Sequence, residues 1–285
     1  MNDELDAAGI VSLFVQPEAD GSFPRETADY FRALSAHRPA IVLAFAPKAA
    51  GTFLRTAAVA AVDGQLVRVV HAQGGRDAQP YLPTFVYYYH GGICTGTLVA
   101  HVHMQALAAN QRFLEVFDLR PVIMIRPIAD MLASYWDMLE TEPSALQEGL
   151  NCLIPENFLN FPKERKAEFL VDILAPWYAS YFATWLDYSC REQGRVCILT
   201  YDAFLRDPAK TLETILSHSR VPRPREICRK AVEAVWAVRS AHRFNRGETG
   251  RGRNYFAPHH IERIASMLEH YEIPDRDRRL LLATQ

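Results

Sequence analysis

The sequence predicts an α/β fold: a central, mostly parallel sheet flanked by helices, with a P-loop-like strand–loop–helix unit near its start. Short apolar runs begin near residues 41, 66, 97, 122 and 196. They alternate with longer stretches of helical periodicity, which is typical of a parallel sheet covered on both faces. With 285 residues, 49% of them hydrophobic, the chain can form one large core. We expect a single domain with a leader over residues 1–38 and a surface insertion over residues 141–166.

The helical pattern fills the gaps between these strands. Helices are predicted over residues 31–36, 104–117, 134–139, 168–192, 209–218, 225–240 and 259–271. A proline, Pro176, predicts a kink in the longest of them. Residues 202–208 read as a turn, and the aromatic side chains of residues 177–185 follow a helical spacing. Such a band is expected in the core.

Charge and cysteine content narrow the class of protein. The formal net charge of −2 argues against nucleic acid as a main partner, because domains that bind it are usually basic. The 5 cysteines are scattered and form no Cys-x-x-Cys pair, which favours a reducing compartment over a disulfide framework or a zinc site. The sequence contains no signal-peptide pattern and no apolar stretch of roughly 20 residues. We expect a cytoplasmic protein without a transmembrane segment.

The first strand leads into the segment around which the chain is organised. Residues 41–46 are wholly apolar, residues 47–52 read Pro-Lys-Ala-Ala-Gly-Thr, and residues 53–62 are rich in alanine. This predicts a buried strand, a tight turn and a helix, whose N-terminal N–H groups suit a phosphate. Lys48 adds a positive charge, and Thr52 adds a hydroxyl that caps the helix or bonds an oxygen. The lysine precedes the glycine, so this is not a Walker A loop, and a plain connector is the alternative.

Two later segments also carry groups that bind anions. Arg126 follows the apolar run 122–125, and Ser134 lies about two helical turns further on. Both could reach one phosphate group, the arginine with two donors and the serine with one. Residues 245–253 hold three glycines and three arginines, a composition that can enclose an anion. A strand-capping arginine and a basic loop are the respective structural alternatives.

Four polar residues lie where predicted strands end. They are Lys48, His101, Arg126 and Tyr201. Ligands of open α/β sheets bind outside the carboxyl ends of the strands. We therefore expect these four side chains to surround one site.

Together these segments resemble the sulfotransferases that use 3′-phosphoadenosine 5′-phosphosulfate (PAPS). Residues 47–52 are similar to that family's 5′-phosphosulfate loop, Pro-Lys-x-x-Gly-Thr. Arg126 and Ser134 have the spacing of its 3′-phosphate motif, and Arg246 with Gly247 begins a segment similar to its late Lys/Arg-Gly-x-x-Gly loop. The resemblance covers residues 41 to 270 and implies a sulfotransferase-type α/β fold. It assigns cofactor binding to Lys48, Ala49, Ala50, Gly51, Thr52, Phe53, Arg126, Ser134, Tyr201, Arg246 and Gly247.

The sequence departs from the family pattern at Phe53 and at Asn245. Phe53 stands where many members have a tryptophan that stacks on adenine, and a phenyl ring can also stack. Asn245 replaces an arginine that often precedes the late loop, for which Arg251 or Arg253 could compensate. Tyr201 belongs to a Tyr-Asp…Asp-Pro segment similar to the family's Tyr-Glu-Asp…Asp-Pro.

The resemblance implies transfer of a sulfuryl group from PAPS to an acceptor hydroxyl by in-line displacement, with 3′-phosphoadenosine 5′-phosphate (PAP) as the product. Lys48 and Thr52 would stabilise the charge on the leaving group, so no metal is expected. A histidine would deprotonate the acceptor. His101 is favoured because it ends a strand upstream of Arg126, as the family's histidine does, and His103 is the second candidate. His90 is a weaker third candidate.

The acceptor cannot be read from this pattern, because one fold serves many acceptors. A small molecule, lipid or carbohydrate that bears a hydroxyl is expected, and the aromatic residues 87–89 could stack on it. The first alternative function is a small-molecule kinase with an atypical phosphate loop. It should need Mg²⁺ and carboxylates near the strand ends, where Asp202 is the conspicuous one. The second alternative is a non-catalytic nucleotide-binding protein.

Overall fold

Five strands form one all-parallel sheet at the centre of the molecule. The computed structural model describes residues 29, 31–33, 36, 38–70, 79–80, 85, 96–142, 152–238 and 247–283. Within them the strands are β1 Ala40–Leu43, β2 Gln65–Val67, β3 Leu98–His101, β4 Pro121–Ile125 and β5 Cys197–Thr200. Their order across the sheet is β2–β3–β1–β4–β5. The five strands predicted from the apolar runs are therefore confirmed.

Helices cover the sheet and connect its strands. In the described residues they are α1 Gly51–Val62, α2 Ala108–Val116, α3 Ile128–Thr141, α4 Lys163–Phe169, α5 Ala175–Arg191, α6 Tyr201–Arg206, α7 Pro208–His218, α8 Arg225–Ala237, α9 Pro258–His270 and α10 Asp275–Leu282. Residues 31–33 and 36 are also helical. In the described residues, helices lie on the connections β1–β2, β3–β4 and β4–β5. The central strands β1, β3 and β4 are buried along their whole length.

The long aromatic helix predicted over residues 168–192 is interrupted. After α4 ends, Leu170–Leu174 forms a π-helical turn, and α5 then begins with Pro176 in its first turn. Proline has no N–H to donate to the preceding turn, so the α-helical hydrogen-bond register cannot run through this point. The predicted kink at Pro176 is thus a change of helix type, of a kind that is frequent next to functional sites.

The aromatic band of α5 lies in the core, as its spacing predicts. Tyr178, Tyr181 and Trp185 are buried, and each directs its polar group at a backbone carbonyl. The Tyr178 hydroxyl donates to the carbonyl of Pro47 at 3.2 Å, and the Tyr181 hydroxyl donates to that of Ala44. Burial raises the pKa of Tyr181 well above its ordinary value, which keeps this hydroxyl a donor. The band therefore supports the turn that follows β1.

Three helices differ from the sequence prediction: α4, most of which lies in the predicted insertion, α6 and α10. Residues predicted as a turn form α6, which Thr200 caps by accepting the N–H of Ala203 at 3.3 Å. Asp207 then accepts the N–H of Lys210 at 2.9 Å and starts α7. Threonine and aspartate at these positions are common N-caps, so the two helices follow each other with one residue between them. The final helix, α10, was not predicted.

The described part of the predicted insertion contributes to the core. Ile154 and Phe158 are buried, and Phe158–Asn160 forms a 3₁₀ turn before α4. Within the described residues, no helix combines the length and the apolar composition needed to cross a lipid bilayer. Several predicted features lie outside the described residues: residues 1–28 of the leader, residues 87–89, His90, Asn245, Arg246 and residues 143–151.

Candidate functional site

The sheet order brings the ends of three neighbouring strands together. Leu43 of β1 is paired with His101 of β3 on one side and with Val122 of β4 on the other. The turn that carries Lys48 therefore emerges between His101 and Arg126. Lys48, His101 and Arg126, three of the four predicted strand-end residues, therefore meet here. After β3 the chain crosses to the opposite side of β1 to form β4, and ligands of open sheets bind at such a point.

The turn after β1 has an unusual backbone. Lys48 and Ala50 have φ angles of 66° and 63°, in the left-handed region, although neither is glycine. This conformation costs an L-residue roughly 1–2 kcal/mol. Ala49 is buried between them, and α1 begins at Gly51 with the half-buried Thr52 in its first turn. The N-terminus of α1 is thereby aimed at the strand ends, with a polarity that favours an anion.

His101 lies directly against this turn. A Cβ atom added to Gly51 would lie 2.1 Å from His101 Nε2 and 2.4 Å from Cε1, so only glycine leaves room for the imidazole. The His101 side chain is 8% exposed, and its ring centre lies 5.1 Å from that of His103, which is also buried. Of the two histidines, the structure places His101 at the loop and His103 beside it.

Arg126 links three parts of the site. Its side chain is 4% exposed, and Nη1 donates to the carbonyl of Lys48 at 2.6 Å. Nη2 donates to the carbonyl of Glu248 at 3.4 Å, and the guanidinium carbon lies 4.1 Å from the centre of the Tyr201 ring. Tyr201 stands there because Ile125 and Thr200 are paired in the sheet. Burial raises the pKa of the Tyr201 phenol, while the Arg126 guanidinium acts in the opposite direction.

The late glycine-containing segment closes over α3, where Ser134 is buried two turns into the helix. Gly247 and Gly250 have φ angles of 64° and 81°. The N–H groups of Gly250 and Gly252 donate to Oδ2 and Oδ1 of Asp130, both at 2.7 Å. Sequence reasoning missed Asp130, whose one local signal is an acidic residue in the first turn of a helix.

The two arginines proposed to compensate for Asn245 have different surroundings. Arg251 is buried and bonds Asp137 and the hydroxyl of Tyr255, so its guanidinium is committed to a structural contact. Arg253 is exposed and donates to the carbonyl of Ala283 at 3.4 Å. It lines a cleft of about 360 Å³ at the ends of β4 and β5, together with Tyr201. Of the two arginines, Arg253 therefore has the exposed guanidinium and Arg251 the buried one.

Phe53 is packed inside a cluster of aromatic rings. Its side chain is 1% exposed, and its ring centre lies 5.5 Å from that of Phe204 and 5.6 Å from that of Trp236, both in edge-to-face geometry. An adenine ring could reach a face of Phe53 only by displacing one of these neighbours. Trp236 on α8 is 38% exposed and offers an accessible ring in the same cluster, a residue that sequence reasoning did not single out.

Among the described residues, Glu164, His259 and His260 form a group with metal-ligand spacing. Nδ1 of His260 accepts the N–H of Ala257 at 3.2 Å, which places the proton on Nε2, the nitrogen that faces Glu164 at 3.6 Å. Within the described residues His260 Nε2 has no hydrogen-bond partner, whereas His259 Nε2 lies 3.2 Å from the Glu164 carboxylate. The group joins α4 to α9 and shares no residue with the strand ends.

Comparison with known proteins identifies the class of fold. No protein-family model matches the sequence, and no curated protein matches it. The mouse sulfotransferase SULT7A1, solved in complex with PAP, is 13% identical and covers 91% of this chain and 96% of its own, with a TM-score of 0.61. A retinol dehydratase in complex with retinol and PAP is 10% identical and covers 89% and 88%, with a TM-score of 0.46, too low to carry an argument.

The protein is therefore an α/β protein in which the Lys48 turn, His101 and Arg126 meet at the ends of parallel strands. More narrowly, it has the sulfotransferase fold, which the likeness to the mouse enzyme shows over nearly the whole of both chains. The fold class predicted from the sequence is confirmed, and the predicted family resemblance is confirmed for the fold.

Proposed function

We propose that the protein is a sulfotransferase that uses PAPS and an acceptor bearing a hydroxyl group. The observation that carries the proposal is the convergence of three groups. The Lys48 turn, the His101 imidazole and the Arg126 guanidinium meet at the ends of three adjacent parallel strands. This set supplies a helix N-terminus and two cations for an anionic donor, and one side chain that can accept a proton.

The residues present fit the proposed cofactor. The turn at residues 47–52 and the start of α1 would hold the 5′-phosphosulfate, and Arg126, Ser134, Arg246 and Gly247 would hold the 3′-phosphate. Arg126 is buried, and within the described residues its Nε has no hydrogen-bond partner. Its carbonyl partners Lys48 and Glu248 fix the guanidinium without neutralising its charge. A buried cation with donor capacity left over is a fitting partner for a phosphate.

The chemistry follows from the positions of these groups. PAPS supplies the sulfuryl group when it is bound. Lys48, Thr52 and the first N–H groups of α1 would stabilise negative charge on the oxygen that the sulfuryl group leaves. Removing one such preorganised donor commonly raises a barrier by about 2.7–4 kcal/mol. We assign the general base to His101, because its Nε2 lies against Gly51 of the same turn. His103 packs beside the His101 ring, with the two ring centres 5.1 Å apart.

The adenine is assigned to the aromatic cluster on α1 and α8. Trp236 has the accessible ring, and Phe53 supports it from the buried side. Trp236 would thus stack on the adenine, a role that the family resemblance assigned to Phe53, and Phe53 would hold the Trp236 ring in place. Stacking on an indole is favourable for any purine, because both groups present a flat π-face.

The acceptor is proposed to be a small molecule, lipid or carbohydrate with a free hydroxyl. A small cavity beside Pro47 is lined by Tyr135, Trp177 and Tyr178, so aromatic side chains lie next to the turn that carries Lys48. Such surroundings favour an acceptor with an apolar or ring-shaped part near the reacting hydroxyl.

A kinase is less well supported by the carboxylates of the site. Both oxygens of Asp130 accept backbone N–H groups, and Asp202 accepts the hydroxyl of Thr249 at 3.0 Å. A Mg²⁺ site needs carboxylate oxygens directed at the ion and at the phosphates. These two carboxylates instead hold the late loop in place.

Ligand-dependent stability tests the proposal. We expect PAP to raise the melting temperature far more than ATP with Mg²⁺ does at the same concentration. A ligand at 100 times its Kd stabilises the folded state by about 2.7 kcal/mol. A larger shift from ATP with Mg²⁺ would contradict the sulfotransferase assignment and favour the kinase.

A further inference from the structure

Asp130 is a buried carboxylate whose two oxygens are both bonded to one loop. It lies in the first turn of α3, its residue is 1% exposed, and Oδ2 and Oδ1 accept the N–H groups of Gly250 and Gly252. Burying a carboxylate is costly unless hydrogen bonds compensate for the lost water. Two backbone donors and the positive end of the α3 dipole provide that compensation.

The loop is shaped to meet this carboxylate. Gly250 has a φ of 81°, which favours glycine, and a Cβ on Gly252 would lie 2.5 Å from the Cβ of Ala129. The loop backbone thus sits directly on the first turn of α3, with its N–H groups turned inward. The contact joins residues 120 and 122 positions apart in the chain. Asp130 therefore fixes where this distant segment stands on the helix.

The fixed segment is the one that approaches Arg126. Just before Gly250, the Glu248 carbonyl accepts from Arg126 Nη2, and the Thr249 hydroxyl donates to Asp202. We infer that Asp130 is a positioning residue that sets the late loop for recognition of a 3′-phosphate and thereby favours nucleotides that carry one. This inference rests on the proposed function. Since each of its oxygens accepts a loop N–H and a carboxylate repels a phosphate, we place Asp130 behind the loop and assign it no contact with the ligand.

Asparagine at this position would oppose the contact. An amide keeps one acceptor oxygen but turns an NH₂ group toward the second backbone N–H, so two donors face each other. Glu140 provides a control on the same helix. Its carboxylate accepts the side chains of Trp136 and Lys166, and neither of these residues belongs to the loop.

The test compares two nucleotides by calorimetry, PAP and AMP, which differ by the 3′-phosphate. Wild-type protein should bind PAP more tightly than AMP. In Asp130→Asn we expect the Kd for PAP to rise by roughly tenfold or more, about 1.4 kcal/mol per factor of ten, while the Kd for AMP stays unchanged. Glu140→Gln should leave the ratio of the two Kd values as in the wild type.

Two results would overturn the inference: a folded Asp130→Asn protein that binds PAP as wild type does, or one in which PAP and AMP weaken equally. If Asp130→Asn does not fold, Gly250→Ala replaces it, because its Cβ would meet nothing within 4 Å but the positive φ disturbs the loop. It should narrow the preference for PAP in the same way, and an unchanged ratio would again overturn the inference. Failure of the proposed function looks different, since wild-type protein would then show no preference for PAP.

Discussion

Gly51→Ala tests the placement of His101 against the turn that carries Lys48. The new Cβ would lie 2.1 Å from Nε2 and 2.4 Å from Cε1 of the imidazole, where carbon and nitrogen atoms normally stay more than 3 Å apart. The ring has little room to retreat, since Phe45 and His103 flank it with ring centres 6.4 and 5.1 Å away. Overpacking of this kind costs about 1–3 kcal/mol.

The cost should depend on the histidine. In a His101→Ala background the ring is absent, so adding the Cβ at Gly51 should cost close to nothing. The expected interaction energy is therefore of the same order as the clash, about 1–3 kcal/mol, within the range known for residues in contact. Urea denaturation of wild type, the two single variants and the double variant measures it.

A control separates the clash from backbone effects. Gly194→Ala places a Cβ where nothing lies within 4 Å, at a φ of 78°, so it carries only conformational strain of roughly 1–2 kcal/mol. Gly194→Ala should retain transfer activity, whereas Gly51→Ala should lose most of it because the imidazole is displaced. If the effects of Gly51→Ala and His101→Ala on stability add within about 0.5 kcal/mol, the ring does not lie against Gly51 and the reasoning fails.

Three further predictions concern single side chains. With saturating PAPS, His101→Ala should lower the kcat of sulfate transfer by about 10²–10⁴-fold, and His103→Ala should lower it much less. Equal, mild losses in the two variants would show that neither histidine is the general base. Trp236→Ala should chiefly weaken PAP binding, measured by calorimetry. Phe53→Ala should chiefly lower the free energy of unfolding, by about 3–5 kcal/mol. The opposite result would mean that adenine stacks on Phe53. Burial raises the pKa of Tyr188 to about 12, above its unfolded value near 10, so its neutral form stabilises the fold below pH 10 and that contribution is lost between pH 10 and 12. Between pH 10 and 12 the free energy of unfolding, measured by denaturation, should fall less in Tyr188→Phe than in the wild type. An equal fall in both proteins would contradict the raised pKa of Tyr188.

The strands and the positions of Lys48, His101 and Arg126 could be predicted because their signals are local. An apolar run followed directly by a polar residue marks a buried strand and its end, and parallel strands bring those ends together. This reasoning placed Lys48, His101 and Arg126 at one edge of the sheet, where the structure has them. The helical limits were close wherever apolar periodicity was strong, as in α7 and α9.

The remaining features depend on contacts between distant parts of the chain. Asp130 reads locally as an ordinary acidic residue near a helix start, and its partners lie 120 residues or more away. Trp236 has no motif, and its significance comes from packing α8 against Phe53 of α1. Arg251 resembled an anion-binding residue by its glycine neighbours, but Asp137, which pairs with it, is remote in sequence. No window of local sequence could have separated these cases.

Transfer of labelled sulfate tests the central claim most directly. Protein, PAPS carrying a radioactive sulfuryl group and a pool of candidate hydroxyl compounds are incubated together, and label in the organic products is followed with release of PAP. Wild-type protein should produce a labelled compound, and Lys48→Ala should do so at least about 100-fold more slowly, given the barrier that a lost donor adds. Near-wild-type transfer by Lys48→Ala would contradict the proposed mechanism. A wild-type protein that neither transfers label nor binds PAP would contradict the assignment as a sulfotransferase.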